Sequence, residues 1–196
     1  MSGHRLISCF FCLMVCLFLG LSNYPASGSE KKAATGTIAV GMDMPQFKLD
    51  APHSDKDKQY LGLKNSKDFS LSEIPTKLIV FEVFSVYCPH CKKNAGQLNK
   101  LYNLIQQDSE LSQGVKMIAM STGSRYDKTE KWKETLKVPF PLFSDPYTKI
   151  FKQFGQPPVP VTFVATGSGK VLYTHGGVIE NEEDLFRFLK KSFKEQ

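Results

Sequence analysis

The stretch from residue 77 to residue 91, Lys-Leu-Ile-Val-Phe-Glu-Val-Phe-Ser-Val-Tyr-Cys-Pro-His-Cys, decides the fold. Its first part is almost continuously β-branched and aromatic, which is typical of a central strand buried on both faces. Cys88 and Cys91 follow this strand directly, and Pro89 between them suits the first position of a helix. The stretch therefore predicts a buried strand, two neighbouring thiols and a helix N-terminus at one place.

Further elements are predicted after the second cysteine. Apolar residues at three- and four-residue spacing predict a helix that ends near Asp108. Residues 115–120 predict a second buried strand. Residues 127–130, Asp-Lys-Thr-Glu, have the capping-box pattern and predict the start of a helix that holds Trp132 and Leu136.

The last third of the chain predicts a helix, a hairpin and a final helix. Residues 145 and 146, Asp-Pro, predict an N-cap and a first helical position. The runs 161–165 and 171–174 flank a Gly-Ser-Gly-Lys turn and predict a β-hairpin. Asn181, which three acidic residues follow, predicts the start of the last helix, and lysines close it as the helix dipole favours.

The segment before the central strand predicts a small β extension. Phe47 and Leu49 alternate with polar residues and predict an edge strand that pairs with residues 69–71, while residues 53–58 predict a charged loop. Strands joined through helices run parallel, whereas a hairpin is antiparallel. We therefore expect an α/β protein with a central mixed β-sheet flanked by helices and an N-terminal β extension, in one domain over residues 38–196.

The N-terminus has the pattern of a secretory signal. A positively charged head precedes the uncharged run from Leu6 to Leu21, and small residues stand at Ala26 and Gly28. This order predicts a signal peptide over residues 1–28 and an exported, periplasmic or otherwise extracytoplasmic protein. The alternative is an uncleaved membrane anchor, since the run is only slightly shorter than the roughly 20 residues that span a bilayer. Residues 29–37 predict a flexible leader.

Removal of the predicted signal leaves Cys88 and Cys91 as the remaining two of five cysteines. Two thiols at this spacing can lie on one helical turn and close a redox-active disulfide. A purely structural disulfide is the weaker alternative, because so short a loop contributes little stability. A zinc site would need two more ligands. We expect no metal and no cofactor.

The helix N-terminus predicts different roles for the two cysteines. Unpaired N–H groups and the helix dipole stabilise a thiolate at Cys88, which is expected to be exposed and to attack. Cys91, one turn further on, is expected to be buried and to resolve the mixed disulfide. The ring N–H of His90 adds a donor near the thiolate, which would make the disulfide a stronger oxidant. The alternative is a surface histidine without a role.

Glu82 interrupts the most apolar strand of the chain, six residues before Cys88. A carboxyl group buried there would have its pKa raised by desolvation. It could then take the proton that Cys91 must lose when it attacks the mixed disulfide. The alternative is a glutamate that faces outward and pairs with a lysine.

Two known families share these features. Residues 81–91 resemble the active-site segment of the DsbA-type oxidants, including the acid six residues before the first cysteine. The rest of the chain resembles the TlpA/ResA-type membrane-associated thioredoxins, through residues 41–49, 143–146 and 160–164 and the turn at residues 169–170. The resemblance covers essentially the whole chain after the signal and implies a thioredoxin-like fold.

The resemblance also implies a substrate-binding loop. Local sequence does not select a cis bond among the prolines of residues 156–160, but the resemblance assigns Pro160 as the cis-proline that faces the cysteines. The loop Val159-Pro160 is then expected to bind substrate backbone and to keep metal away from the thiols. Tyr87 stands where a tryptophan is expected, and it is a further candidate substrate contact. The long helical insertion of DsbA is absent, so a comparably broad substrate range is not implied.

These features predict an exported thiol–disulfide oxidoreductase that acts on protein thiols or disulfides and is recycled by a membrane redox partner. His90 favours an oxidant, whereas the TlpA-like remainder favours a reductant. The alternatives are a non-catalytic binding module and a thiol peroxidase, which the residues Val86-Tyr87 before Cys88 disfavour. The formal charge of +6 comes from scattered lysines, which excludes a nucleic-acid site. The sequence sets no oligomeric state.

Overall fold

A mixed five-stranded sheet forms the centre of the computed structural model, which describes residues 38–65 and 67–196. Its order is β3-β2-β1-β4-β5, with β1 parallel to β2, β2 parallel to β3, and β4 antiparallel to both β1 and β5. The predicted mixed sheet is confirmed. The strands are β1 (Leu78–Phe84), β2 (Val115–Thr122), β3 (Leu142–Asp145), β4 (Val161–Thr166) and β5 (Val171–Gly176).

Helices cover both faces of the sheet. One face carries α2, α4 and α6, and the other carries the segment before β1 together with α5. Among the described residues, no helix has the length and apolar character that crossing a membrane requires. The predicted signal (1–28) and leader (29–37) lie outside the described residues. The helices are α1 (Asp55–Leu61), α2 (Pro89–Gln107), α3 (Leu111–Gly114), α4 (Tyr126–Leu136), α5 (Lys149–Gln153) and α6 (Glu182–Lys194), with a 3₁₀ turn at Leu71–Glu73.

Every residue of β1 is buried, because both faces of this central strand are covered. Phe81 lies opposite Ile118 of β2 and Phe163 of β4, in the core under the N-terminal segment and α5. Leu78 and Val80 point to the other face and pack under α2 and α6. Burial of each such side chain contributes about 1.5–3 kcal/mol. Strand β1 is therefore the fixed element to which the site is attached.

Helix α2 begins where the sequence predicts it. Cys88 is its N-cap, and Pro89 occupies the first helical position, where a missing N–H costs no hydrogen bond. Leu98, Leu101 and Ile105, whose spacing predicts the helix, are buried against the sheet. The helix ends at Gln107, next to the predicted boundary.

Two predicted helix starts are wrong. Helix α4 begins at Tyr126 with Arg125 as N-cap, so the predicted capping box at residues 127–130 lies inside its first turn. Asp145 ends β3, a strand that the sequence analysis did not predict, and α5 begins only at Lys149. The Asp145 carboxylate nevertheless accepts hydrogen bonds from the N–H groups of Lys149 and Phe151, both at 2.8 Å. It therefore provides acceptors for N–H groups that have no partner inside the first turn of α5.

The N-terminal segment also differs from its prediction. Residues 55–61 form α1, capped by the Ser54 side chain, where a charged loop was expected. The β extension consists of isolated bridges, between Leu49 and Phe69 and between Asp43 and Lys170. The hairpin β4–β5 and helix α6, capped by the Asn181 side chain, are confirmed.

Candidate active site

Cys88 and Cys91 are free thiols at the N-terminus of α2, so the structure describes the dithiol form. Cys91 is buried, whereas Cys88, which was predicted to be exposed, is half-buried. The Cys91 N–H donates to Sγ of Cys88 at 3.3 Å. The Ser85 N–H, at the end of β1, donates to Sγ of Cys91 at 3.5 Å. Each sulfur thus accepts a hydrogen bond from a backbone N–H: Cys88 from the start of α2, and Cys91 from the end of β1.

The loop before β4 lies against the outer thiol. Sγ of Cys88 donates to the Val159 carbonyl oxygen at 3.5 Å, although the two residues are 71 positions apart in sequence. The peptide bond between Val159 and Pro160 is cis. Because β4 pairs directly with β1, the start of β4 lies beside the end of β1, where Cys88 follows. The sheet therefore brings the cysteines and this loop together.

The inner thiol is strongly disfavoured as a thiolate. Burial raises the pKa of the Cys91 thiol far above its usual value, the hydrogen bond with Cys88 raises it further, and the negative charges on Cys88 and Glu82 add to the effect. The Ser85 N–H acts in the opposite direction. Attack by Cys91 consequently needs a base that removes its proton.

Glu82 is buried inside the sheet face that carries α2, with 4% of its surface exposed. Desolvation raises the pKa of its carboxyl group to about 7, and a hydrogen bond from Asn94 partly opposes this. The alternative of an outward-facing glutamate paired with a lysine is thereby excluded. A carboxyl group with this pKa exchanges its proton near neutral pH, which suits a general acid or base.

Asn94 is a site residue that the sequence analysis missed. Its Nδ2 donates to Oε1 of Glu82 at 2.8 Å, and its Oδ1 accepts the Ile179 N–H at 2.8 Å. The side chain is fully buried and connects α2, β1 and the segment before α6. The available signal was an asparagine at a position that the apolar stripe of α2, through Leu98, predicts to face the core.

The structure places His90 and Tyr87 at the edge of the site. His90 is exposed and lines a groove with His175 and the segment before α6. Within the described part of the chain, its ring makes no hydrogen bond to Cys88. Tyr87 is 74% exposed, directly beside Cys88. Across residues 38–65 and 67–196, no three His, Cys, Asp or Glu side chains converge as metal ligands would.

Comparison with known proteins places the chain in a family. The model of the AhpC/TSA family matches residues 40–174, well over half of the chain. The chain belongs to the AhpC/TSA family. It is 26% identical over 171 residues to the thiol-disulfide oxidoreductase ResA of Geobacillus thermodenitrificans, an alignment that covers 87% of this chain and 86% of that protein. The resemblance to the TlpA/ResA type is confirmed.

Solved structures confirm the thioredoxin-like fold. A putative thiol:disulfide interchange protein DsbE from Chlorobium tepidum superposes with a TM-score of 0.61 at 18% identity, covering 80% of this chain and 99% of that one. A putative protein disulfide isomerase from Bacteroides thetaiotaomicron gives a TM-score of 0.63 at 18% identity, covering 80% and 91%. At this level of identity the likeness concerns the fold alone.

Proposed function

We propose that the protein is an exported thiol–disulfide oxidoreductase that exchanges disulfides with client proteins through Cys88 and Cys91. The observation that carries the proposal is a half-buried thiol at a helix N-terminus, with a buried second thiol one turn away. ResA, named a thiol-disulfide oxidoreductase, aligns over most of this chain and supports the same activity. The protein is an enzyme of this class, and its clients carry thiols or disulfides.

In the reductive direction, the Cys88 thiolate attacks one sulfur of a client disulfide. The sulfur–sulfur bond of the client breaks, a mixed disulfide between Cys88 and the client forms, and one client thiolate leaves. Cys91 then transfers its proton to the Glu82 carboxylate and attacks Sγ of Cys88. The mixed disulfide breaks and the second client thiolate leaves. The client has then gained the two electrons that the protein lost when its Cys88–Cys91 disulfide formed.

The oxidative direction is the reverse of these steps. A client thiolate attacks Cys88 in the Cys88–Cys91 disulfide, and Cys91 leaves as a thiolate. Because burial disfavours this thiolate, protonated Glu82 returns the proton to it. A second client thiolate then attacks the mixed disulfide and releases oxidised client and the dithiol protein. Glu82, held by Asn94, serves both directions.

The segment Val159-Pro160 is proposed to bind client backbone beside the reacting sulfur. In the dithiol form the Val159 carbonyl oxygen accepts from Cys88, and it becomes available to a client N–H once Cys88 joins a mixed disulfide. Tyr87, the residue before Cys88, is exposed and offers an aromatic contact. His90 is proposed to add positive charge or a donor near the thiolate. The signal pattern of residues 1–28 supports export, and a membrane redox partner would recycle the pair.

Trapping of the mixed disulfide tests the function. In Cys91→Ser the first exchange occurs but resolution does not, so incubation with oxidised insulin is expected to leave a covalent adduct that dithiothreitol releases. Cys88→Ser keeps the buried thiol and is expected to give no adduct. Mass spectrometry reads out both. An equal amount of adduct in the two variants would contradict the proposal, as would equal insulin reduction by wild type and Cys88→Ser, which a binding module predicts.

Replacement of the buried carboxyl group tests the proton transfer. In Glu82→Gln the amide still accepts from Asn94 but cannot take the proton of Cys91. General-base catalysis contributes about 10²–10⁴-fold, so resolution is expected to slow by at least about 100-fold at pH 7 while the first attack by Cys88 keeps its rate. Rapid quenching in acid, followed by chromatography, measures both steps. An unchanged resolution rate would remove Glu82 from the mechanism.

The reduction potential of the Cys88–Cys91 pair decides the direction of electron flow. Equilibration with glutathione buffers measures it. A value of about −120 mV assigns oxidation of clients, and one of about −270 mV assigns their reduction. Turnover of hydrogen peroxide that depends on Cys88 would instead support a peroxidase.

A further inference from the structure

A groove between the start of α2 and helix α4 opens beside the reacting thiol. Its apolar floor consists of Val86, Trp132 and Leu136, and three lysines surround it, Lys92, Lys128 and Lys131. We call this surface the α2–α4 groove. Tyr87, which precedes Cys88 in the chain, forms the wall nearest the site. Of the residues that line the groove, the function proposed above uses Tyr87 alone.

The floor of the α2–α4 groove is held in place by the core. The Trp132 ring stacks on Phe84 at the end of β1, with ring centroids 5.4 Å apart and an angle of 28° between the planes. Phe84 itself is 1% exposed. The indole is therefore fixed on its inner face and half-buried, while its outer part is available to another molecule. Such a rigid aromatic surface gives contact area at low cost in side-chain entropy.

The three lysines of the groove have no anionic partner. All three are exposed, and within the described residues none of them forms an ion pair. No Asp or Glu lines the groove. By contrast, Lys133 on the same helix is paired with Asp57 at 2.8 Å. The unpaired charge is thus concentrated around the apolar floor, where it favours an anionic occupant.

We propose that the α2–α4 groove binds a client segment in which an apolar side chain is flanked by Asp or Glu, close to the reacting cysteine. Tyr87 and Lys92, which line the groove, directly precede Cys88 and follow Cys91 in the chain. An extended chain advances about 3.3 Å per residue, so a side chain a few residues from the client cysteine is expected to reach the groove when that cysteine meets Cys88. A second copy of this chain fits less well, since it carries the same lysines and a formal charge of +6. The inference rests on the proposed function and names its substrate class.

Three blocked heptapeptides, each with one cysteine and used as disulfide-linked dimers, test this selectivity. The first has phenylalanine two residues after the cysteine followed by two glutamates, the second replaces the glutamates with lysines, and the third replaces the phenylalanine with alanine. We expect the dithiol protein to reduce the first peptide about tenfold faster than either other peptide at low ionic strength. The difference in rate between the glutamate and lysine peptides is expected to become smaller in 0.5 M salt. The ratio of rate constants cancels changes in the intrinsic reactivity of Cys88.

A charge reversal on α4 supplies the variant, and a matched pair of lysines supplies the control. In the double variant Lys128→Glu, Lys131→Glu, the rate constant for the acidic peptide divided by that for the basic peptide is expected to fall to one or below. Lys64→Glu combined with Lys67→Glu changes the net charge equally on the loop after α1, and it is expected to keep the ratio within about twofold of wild type. An equal loss of selectivity in both double variants would overturn the inference.

Binding without exchange separates this inference from the proposed function. Trp132 is the single tryptophan of the chain, so its fluorescence reports occupancy of the groove. A peptide with serine in place of cysteine is expected to change this fluorescence when it is acidic and to have little effect when it is basic. Exchange with all three peptides at one rate, without a fluorescence change, would overturn the inference and leave the proposed function standing. Absence of exchange with every peptide would overturn the proposed function.

Two other occupants give distinct results. The protein could sediment with vesicles containing phosphatidylglycerol, lose this binding in the Lys128/Lys131 double variant, and reduce the peptides at equal rates. These three results together would assign the groove to a membrane surface. Concentration-dependent dimers that the same variant abolishes would assign it to a second copy. Either result overturns the assignment to an acidic and apolar client segment.

Discussion

Glu82 carries a cost in stability that follows from its place in the sheet. Burial raises the pKa of its carboxyl group from 4.5 to about 7. The folded protein therefore holds a proton that the unfolded chain releases above pH 4.5. The contribution of this group to the stability of the fold is most favourable below about pH 4.5 and is lost as the pH rises through about 7. The full loss is on the order of 3 kcal/mol.

Glu82→Gln is expected to remove the dependence of stability on pH that this carboxyl group causes. The variant should be more stable than wild type by on the order of 2–3 kcal/mol at pH 8, with the difference shrinking as the pH falls toward 5. Urea unfolding of both proteins at each pH measures it. Glu134→Gln replaces an exposed glutamate on α4 and should follow wild type throughout. A stability difference that does not change with pH would show that the carboxyl group is not titrating in the fold.

The residues of the site differ in how far sequence could predict them. Cys88, Cys91 and Glu82 form a local pattern, in which a strand of known period leads into a helix start. Asn94 could not be placed in the same way, because its second partner, Ile179, is 85 residues away. The contact of Cys88 with Val159 likewise depends on how β4 pairs with β1. Long-range partners of this kind follow from sheet topology.

Helices and strands show the same limit at their ends. Strand β3 has only four residues, too few for a period to be recognised between two helical patterns. Asp145 is not the N-cap that its sequence predicts, yet its carboxylate accepts N–H groups at the start of α5, across a turn. The predicted capping box of α4 failed because the helix begins at Tyr126, which places Asp127 in the first turn instead of at the N-cap. In the same turn, the hydroxyl of Thr129 makes three contacts. It donates to the Arg125 carbonyl oxygen and meets the hydroxyls of Ser121 and Ser144.

This hydroxyl cluster is expected to fix α4 against β2 and β3. Thr129→Val keeps the shape of the side chain but leaves the buried Ser121 hydroxyl without its partner, so we expect the free energy of unfolding to fall by about 1–3 kcal/mol. Thr135→Val is the matched control, since Thr135 is exposed and also bonds the carbonyl oxygen four residues earlier. It should change stability by less than about 0.5 kcal/mol. Equal effects would mean that the cluster adds nothing beyond the helical bond.

At the scale of the whole molecule, the order of elements predicted a mixed sheet but not how the N-terminal segment joins it. Among the described residues, a single isolated bridge, between Asp43 and Lys170, ties this segment to the β4–β5 hairpin, so a strand pattern could not define it. Its side chains nevertheless enter the core. Ile38 and Met44 are 6% and 4% exposed and pack in the same cluster as Phe81 and Phe163. The backbone of residues 41–44 bonds Gly169 and Val171 at the β-hairpin.

Two shortened chains test whether this segment belongs to the folded domain. A chain that begins at Thr37 retains Ile38 and Met44, and we expect its free energy of unfolding to lie within about 0.5 kcal/mol of a chain that begins at Ser29. A chain that begins at Gln46 loses both side chains and the backbone bonds to the hairpin. Burial of two such side chains contributes about 1.5–3 kcal/mol each, so it should be less stable by at least about 3 kcal/mol. Urea unfolding measures all three chains. Full stability of the shortest chain would place the domain boundary after Pro45, whereas a loss already at Thr37 would extend the domain toward residue 29.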